Sequence, residues 1–191
     1  MDVLTKGNKK VAKTVLCWSL PPVISCLNCV SCQKDCYAKH PYRAYPVVKK
    51  AWDRNFAIAK SGAFVDSIKN QLRVSKKCRF VRIHVAGDFF SQEYINQWVD
   101  IAKAFPGIKF YSYSKVFDIL DLSEFNSLPN VNVIDSIAFD GGPNFGKADR
   151  VKMLNDNGYR VCPAVKNKTI HCGKNCFICM KIEKVCFNWH R

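Results

Sequence analysis

Two groups of cysteines carry the clearest chemical signal in the sequence. The first group has the spacing C-x2-C-x2-C-x3-C and consists of Cys26, Cys29, Cys32 and Cys36. This spacing matches the iron–sulfur run of bacterial ferredoxins, except that Tyr37 follows the last cysteine where proline is usual. Soft thiolates select iron–sulfur clusters or Zn²⁺. The sequence therefore predicts a metal site in this loop, with a [4Fe-4S] cluster as the main prediction and zinc as the alternative.

The second group lies near the end of the chain and consists of Cys162, Cys172, Cys176 and Cys179. Cys186 follows closely and is a further candidate ligand. Residues 166–191 show little hydrophobic periodicity, so a bound metal is the most direct way to order them. We expect a closed site with four thiolates, occupied by a second [4Fe-4S] cluster or by zinc.

Composition limits the class of protein. The chain has 191 residues, of which 48% are hydrophobic, which is enough for one sizeable core. No apolar run approaches the roughly 18 residues that span a bilayer, and residues 1–13 are basic with no apolar stretch behind them. We therefore expect a soluble, cytoplasmic protein with no membrane partner. A reducing cytosol keeps thiols free, so the eleven cysteines favour metal binding over disulfides.

The net charge of +15 is unevenly distributed, with +13 in residues 1–82, −4 in residues 83–159 and +6 in residues 160–191. Part of this charge offsets anionic thiolate-bound clusters, and the remainder suits nucleic acid or another anionic macromolecule. Aromatic residues suited to base stacking lie among the basic ones at Trp18, Tyr37, Tyr42, Tyr45 and Trp52. A non-catalytic, metal-stabilised nucleic-acid-binding protein is therefore one alternative function.

Strand and helix patterns alternate along the chain, around a cysteine loop at residues 23–42. The predicted strands are residues 14–20, 79–86, 108–114, 131–139 and 159–165. The predicted helices begin at Pro46, before Phe64 and at Ser91, with a weak helix at 116–127 and another at 147–157. A glycine-rich turn is expected at 141–143.

This alternation, with short connections, predicts a parallel sheet with right-handed crossovers. A complete eight-stranded barrel takes about 250 residues, so the chain is too short for one. The predicted fold class is α/β, a partial (β/α) barrel of five to six mostly parallel strands with a C-terminal cysteine-rich metal-binding tail. Residues 1–165 would form the barrel, and residues 162–191 would form a cysteine-rich segment packed on the same domain. The site is expected at the carboxyl ends of the strands.

The strand over residues 79–86 alternates, which predicts the direction of its side chains. If Val81, Ile83 and Val85 face the helices, Arg82 and His84 point to the inside of the barrel. Both then border the cluster or form a buried polar pair. On the next strand, Tyr111, Tyr113 and Lys115 either line the pocket or cover a surface.

An ordered series of motifs resembles the gene product 88 family of phages. The motifs are SLPP, SC, C and CYA over residues 19–38, VRIHVAGDFFSQEY over 81–94, KFYSYSK over 109–115, and CP with a terminal cysteine group and His190. The resemblance covers nearly the whole chain, and the VRIHVAGDFFS segment is its most specific part. It implies a location in the host cytoplasm. The family pattern is in turn similar to a shortened radical S-adenosylmethionine (SAM) barrel.

The resemblance implies a ligand set and an activity. The family's three N-terminal cysteines correspond to Cys26, Cys32 and Cys36, which leaves one iron of a [4Fe-4S] cluster open to chelate SAM. A glycine-rich turn that meets the amino group of SAM corresponds to Gly87 and Asp88. Glycine there permits close backbone approach, and the carboxylate suits an ammonium group. The implied chemistry is reductive cleavage of SAM to a 5′-deoxyadenosyl radical, with electrons from a donor partner.

Two alternatives remain at these residues. If Cys29 also ligates the first cluster, no iron is open, and two closed clusters favour electron transfer. Gly87 and Asp88 are also compatible with an ordinary turn from strand to helix.

Overall fold

The computed structural model describes residues 2–8, 11–29, 32–34, 36–138, 156–163, 167 and 169–187. Its strands, in chain order, are β1 Thr5–Lys6, β2 Val15–Cys17, β3 Phe80–Ile83, β4 Lys109–Ser114, β5 Val131–Ala138, β6 Arg160–Val161 and β7 Lys184–Phe187. They form one sheet in the order β1-β2-β3-β4-β5-β7-β6. β1 is antiparallel to β2, and strands β2 to β7 all run parallel to one another.

This sheet confirms the predicted α/β class and the mostly parallel arrangement. The sheet is open, because its edge strands β1 and β6 do not pair with one another in the part of the chain that the structure describes. The curvature of a partial barrel and the metal-binding role of the tail stay predictions.

In the described part of the chain five α-helices accompany the sheet: α1 Lys39–Ala44, α2 Pro46–Ala59, α3 Phe64–Val74, α4 Gln92–Ala104 and α5 Ser123–Ser127. The predicted start signals are confirmed. Pro46 occupies the first turn of α2, where its missing N–H costs nothing. At the start of α4 the Ser91 hydroxyl accepts a hydrogen bond from the Tyr94 backbone N–H. Among these described helices, none has the length and apolar character that a membrane crossing requires.

The main core lies between one face of the sheet and the helices α3 and α4. Val81 and Ile83 of β3 are fully buried there, as predicted from the alternation of the strand. The Trp18 ring packs against Phe64 and Trp98 in the same core, and its indole N–H donates to the Tyr94 hydroxyl at 2.8 Å. Trp18 is therefore a core residue, and its predicted place among aromatics available to nucleic acid is wrong.

The opposite face of the sheet, here called the second face, is covered by the end of the chain. Val15, Cys17 and Tyr111 pack there, and the covering residues are Val11, Cys162, Cys179 and Ile182. A 3₁₀ turn, Ile178–Met180, contributes to this cover. The tail also adds strand β7 between β5 and β6. The cysteine-rich tail is thus built into the sheet and its second core, and strand β7 was not predicted.

The predicted inward direction of His84 is wrong, because the alternation breaks at this residue. His84 has a left-handed backbone with φ 60°. Its ring packs edge-to-face on Phe89, with ring centres 4.6 Å apart, and lies close to Tyr94 on the helix side. Val85 packs on the second face instead of facing the helices. Arg82, which precedes the break, lies on the second face as predicted, between Cys17 and Tyr111 in register.

Other elements differ in extent from the predictions. Only Ser123–Ser127 of the weak helix predicted at 116–127 is helical. Of the strand predicted at 159–165, Arg160–Val161 is a strand, and residues 164 and 165 lie outside the described residues. The predicted turn at 141–143 and residues 147–155 of the last predicted helix lie outside the described residues.

Candidate metal sites at the two cysteine groups

The first cysteine group lies across the carboxyl ends of the parallel strands. The Asn28 side-chain amide donates to the Lys115 carbonyl just beyond β4, at 2.9 Å. The Tyr37 hydroxyl donates to the Val85 carbonyl just beyond β3, although the Tyr37 side chain as a whole is exposed. These two contacts place the loop at the edge where parallel sheets carry their binding sites, as predicted.

The thiols of the first group are neighbours. Burial raises the pKa of Cys26 to about 12, and negative charge on Asp88, Cys29 or Cys32 acts in the same direction. Burial also raises the pKa of Cys29 to about 11, followed by the influence of Cys32 and Cys36. All four cysteines are partly exposed. Cys29 therefore lies among the three cysteines that the family pattern assigns, within reach of solvent.

Gly87 has a structural reason to be glycine. Its φ of 84° is in the left-handed region, and an added Cβ would lie 2.5 Å from the Ser25 hydroxyl oxygen and 2.7 Å from the Leu20 Cβ. The Asp88 N–H donates to the Ser25 carbonyl at 3.3 Å, which holds the start of the cysteine loop on this turn. Glycine at this position thus allows the loop to approach the end of β3 closely.

Asp88 ties the ends of β3 and β4 together. Its Oδ1 accepts hydrogen bonds from the Phe89 N–H at 2.8 Å and from the Ser114 hydroxyl at 2.7 Å. Its Oδ2 accepts from the Lys115 N–H at 3.0 Å. Burial raises the pKa of this carboxyl, and the three hydrogen bonds act against the rise. Both residues thus serve the fold, and their predicted contact with SAM stays a prediction.

The second cysteine group lies beneath the second face and is more enclosed. Cys162 and Cys179 are buried, whereas Cys172 and Cys176 are half-buried. Burial raises the pKa of Cys179 to about 12, and the other three cysteines act in the same direction. The Tyr113 hydroxyl and the Cys179 sulfur are 2.7 Å apart and hydrogen bonded. The side chain of Cys186 and all of His190 lie outside the described residues.

Each group has the donor chemistry of an iron–sulfur or zinc site, since four thiols interact within it. Among the described residues, however, no three Cys, His, Asp or Glu side chains are gathered closely enough to hold a metal ion. Binding at either group therefore requires the thiols to move together around the centre. Such closure is typical of thiolate sites that form together with their metal.

Comparison with known proteins places the chain in a family. The family model described as Gene product 88 matches residues 2–170, which is most of the chain and includes the first cysteine group. This chain belongs to the gene product 88 family. The Gene 88 protein of Mycobacterium phage D29 is 22% identical over 176 residues, covering 74% of this chain and 73% of that protein. No solved structure matches.

The family model confirms the resemblance read from the motifs and relates the chain to bacteriophage proteins. In this gene product 88 chain, the sequence did not indicate that Arg82 lies close to the second cysteine group through the Tyr113 ring. Its guanidinium carbon lies 5.1 Å from the centre of the Tyr113 ring, and Tyr113 is bonded to Cys179. The sequence left open whether Tyr113 lines the pocket or covers a surface, and only the path of the tail brings Cys179 to it.

Proposed function

We propose that this gene product 88 protein is an iron–sulfur protein with two [4Fe-4S] sites of different character. The first site uses Cys26, Cys32 and Cys36, and the second uses Cys162, Cys172, Cys176 and Cys179. The observation that carries the proposal is the separation of two sets of interacting thiols, one partly exposed at the carboxyl edge of the sheet and one beneath the sheet with two of its four thiols buried. Enclosed thiolate sites serve structure or electron transfer, whereas accessible ones leave room for a ligand.

We further propose that the first cluster binds SAM at an iron without a protein thiolate. A [4Fe-4S] cluster with an open iron supplies the electron for reductive cleavage of SAM, and an external donor must replenish it. The chain's own residues would position SAM next to the cluster and supply a negative charge for its amino group. Asp88 lies near enough to influence Cys26, and its carboxylate is suited to an ammonium group. Gly87 lets the start of the cysteine loop pack closely on the turn that carries Asp88.

Two cysteine variants test this proposal. Electron paramagnetic resonance of the reduced, anaerobic protein, with and without SAM, is compared for the wild type, Cys36→Ala and the neighbouring control Cys29→Ala. We expect Cys36→Ala to lose the signal of the first cluster and keep that of the second. We expect Cys29→Ala to keep both signals and the response to SAM, because an open iron leaves Cys29 without a role as ligand.

Two results would contradict the assignment. Unchanged clusters in Cys36→Ala would show that Cys36 is not a ligand. Loss of the first cluster in Cys29→Ala would show that four cysteines close it. Two clusters that reduce reversibly with no response to SAM would instead make this protein a two-cluster electron-transfer protein.

A second candidate function is nucleic-acid binding, favoured by the surface of α1 and α2. Tyr45, between these helices, is 53% exposed, and Lys50 of α2 is exposed as well. Tyr42 of α1 and Trp52 of α2 stack at 11° with ring centres 6.0 Å apart, and the Lys49 ammonium lies 5.1 Å from the centre of the Tyr42 ring. Cations next to exposed aromatic rings are suited to phosphates and unstacked bases.

The test is the affinity of the holoprotein for a single-stranded oligonucleotide as a function of salt. The double variant Tyr45→Ala/Lys50→Gln should bind more weakly and with a shallower salt dependence than the wild type. Lys103→Gln serves as the control, because Lys103 is a cation of α4 that pairs with Glu124. An affinity that does not respond to salt would exclude this function.

A further inference from the structure

Arg82 lies on the second face among three tyrosines. Within the sheet it is in register with Tyr111 of β4. Its guanidinium carbon lies 5.1 Å from the centre of the Tyr113 ring, on the same strand. Tyr37 of the first cysteine loop is close enough for its hydroxyl and Arg82 to influence each other electrostatically. These four side chains, here called the tyrosine cage, lie where the second face meets the carboxyl edge of the sheet.

The guanidinium of the cage lacks a partner at its Nε atom. This atom is fully buried and has no hydrogen-bond partner among the described residues. Neither of the two ion pairs found in the same part of the chain includes Arg82. A buried cation that lacks both an anion and a hydrogen-bond acceptor is costly. The cage therefore presents a donor and a positive charge for which the described fold supplies no acceptor.

The tyrosines of the cage do not neutralise this charge. Their hydroxyls are uncharged at pH 7. The Tyr37 hydroxyl already donates to the Val85 carbonyl. The Tyr113 hydroxyl is hydrogen bonded to the Cys179 sulfur. The rings of Tyr111 and Tyr113 cross at 82°, with centres 6.1 Å apart, so they present apolar surface beside the cation.

The cage is open to a small solute and favours one class of ligand. Arg82 and Tyr113 are only partly buried, and Tyr37 is 57% exposed. The Nε–H of an arginine and its neighbouring Nη–H form a planar fork that matches the two oxygens of a carboxylate. One cation balances the single negative charge of a carboxylate, whereas a phosphate dianion would leave excess charge beside buried rings. A carboxylate on an apolar organic body is therefore the ligand that fits.

We propose that the tyrosine cage is a binding site for the carboxylate of a small organic acid, held by the Nε–H and one Nη–H of Arg82. The rings of Tyr111 and Tyr113 contact the organic body of the ligand. Tyr37 brings the first cysteine loop to the same site, so the ligand lies next to that loop. This inference requires no metal at either cysteine group and goes beyond the proposed iron–sulfur function.

The test is the binding of benzoate to the full-length protein. Isothermal titration calorimetry measures the affinity, and nitrogen-15 NMR of the arginine Nε–H groups locates the ligand. We expect Arg82→Gln to weaken benzoate binding about tenfold or more, because hydrogen bonds between charged partners are lost. We also expect benzoate to shift the Arg82 Nε–H resonance of the wild type. Arg82→Lys identifies that resonance, because lysine has no guanidinium.

Three controls accompany this measurement. Benzamide has the shape of benzoate without its charge and should bind at least about tenfold more weakly. Inorganic phosphate should also bind more weakly than benzoate. Arg79→Gln is the matched variant, because Arg79 lies just before β3 and is exposed, and it should keep the wild-type affinity for benzoate.

Each contrary result has a definite meaning. Equal affinity for benzoate in the wild type and Arg82→Gln would overturn the site, as would an Arg82 Nε–H resonance that benzoate does not move. Tighter binding of phosphate, or equal binding of benzamide, would overturn the assignment to carboxylates. The NMR titration uses the wild type, so the proposal is tested even if Arg82→Gln does not fold. Absence of iron and sulfide would contradict the proposed function and leave this site unaffected.

Discussion

At the scale of single residues, His84 shows how a buried histidine links this fold to pH. Its imidazole is enclosed, with Nε2 3.1 Å from the Tyr94 hydroxyl and Nδ1 3.4 Å from the Ser112 hydroxyl. Burial lowers its pKa from 6.5 to about 3. The neutral imidazole can hydrogen bond to both hydroxyl groups. A charged ring would have no carboxylate beside it among these contacts, so protonation in the folded state is unfavourable.

Because the pKa of His84 is lower in the folded state, the unfolded chain binds the proton first. Well above pH 6.5 the imidazole is neutral in both states, so His84 does not change the free energy of unfolding. Below pH 6.5 the unfolded chain takes up the proton, and the free energy of unfolding falls with pH. Between pH 6.5 and 5 the loss is about 1.6 kcal/mol of unfolding free energy. His84→Asn, whose side chain tolerates the left-handed backbone, should lack this loss. Denaturant unfolding at both pH values measures the difference.

The exposed His40 provides the control, since His40→Asn should keep the wild-type dependence on pH. Asp88, whose pKa burial raises, contributes equally to all three proteins and cancels in the comparison. Identical pH dependence of the wild type and His84→Asn would show that the imidazole takes up its proton without unfolding.

The contrast between Arg82 and His84 shows what a strand pattern can predict. Period-two alternation correctly predicted that Val81 and Ile83 face the helices and that Arg82 lies on the second face. The alternation fails at the next residue, because His84 adopts a left-handed backbone conformation that the neighbouring sequence does not indicate. Glycine is the strongest sequence signal for such a conformation, and Gly87, three residues later, carries it.

At the scale of elements, the turn after β3 connects the sheet to the first cysteine group. Gly87→Ala should lower the unfolding free energy by about 1–3 kcal/mol, because alanine is strained at φ 84° and its Cβ collides with Ser25 and Leu20. Thermal or denaturant unfolding measures the loss. Gly107→Ala is the matched control, because an added Cβ at Gly107 meets nothing within 4 Å. Equal stability of the two variants would contradict the close packing of the loop on this turn.

Helices were more predictable than strands in this chain. The sequence predicted α2, α3 and α4 from their apolar periodicity and start signals. Each helix buries one face and is long enough for the apolar spacing to recur over several turns. β7 was not visible, because Lys184–Phe187 is short and gains its order from pairing with β5, about 50 residues earlier. Short strands stabilised by distant partners leave little pattern in their own sequence.

At the scale of the whole molecule, the second cysteine group joins the two ends of the chain. The Ala12 N–H donates to the Cys172 carbonyl at 2.9 Å, and β7 extends the sheet beyond β5. If the second cysteine group holds a metal as proposed, removing it with a strong chelator should speed amide exchange at Ala12 and Gly173. Exchange at Phe110, whose N–H donates to the Asn130 carbonyl next to the helix-side core, should stay slow. The reason is that metal-binding free energy stabilises only the segments that the metal orders.

Hydrogen-exchange mass spectrometry before and after chelation measures this difference. Equal protection at Ala12 in both states would show that the metal does not order the tail. Uniform loss of protection, including Phe110, would show that the two cores unfold as one unit.

The cysteine spacings predicted two candidate sites, but their places in the molecule came from the fold. Local spacing groups Cys26 with Cys29, Cys32 and Cys36, since one loop carries them all. The sequence could not show that Cys162 and Cys179 lie beneath the second face, close to Tyr113, because that depends on where the tail crosses the sheet. Distant contacts of this kind are set by topology and leave no local pattern.

The most direct test of the central claim is the metal and sulfide content of the anaerobically purified protein. Two [4Fe-4S] centres predict about eight irons and about eight sulfides per chain, with little zinc. Zinc bound without iron or sulfide would contradict the claim and leave a zinc-stabilised protein with no route to radical chemistry.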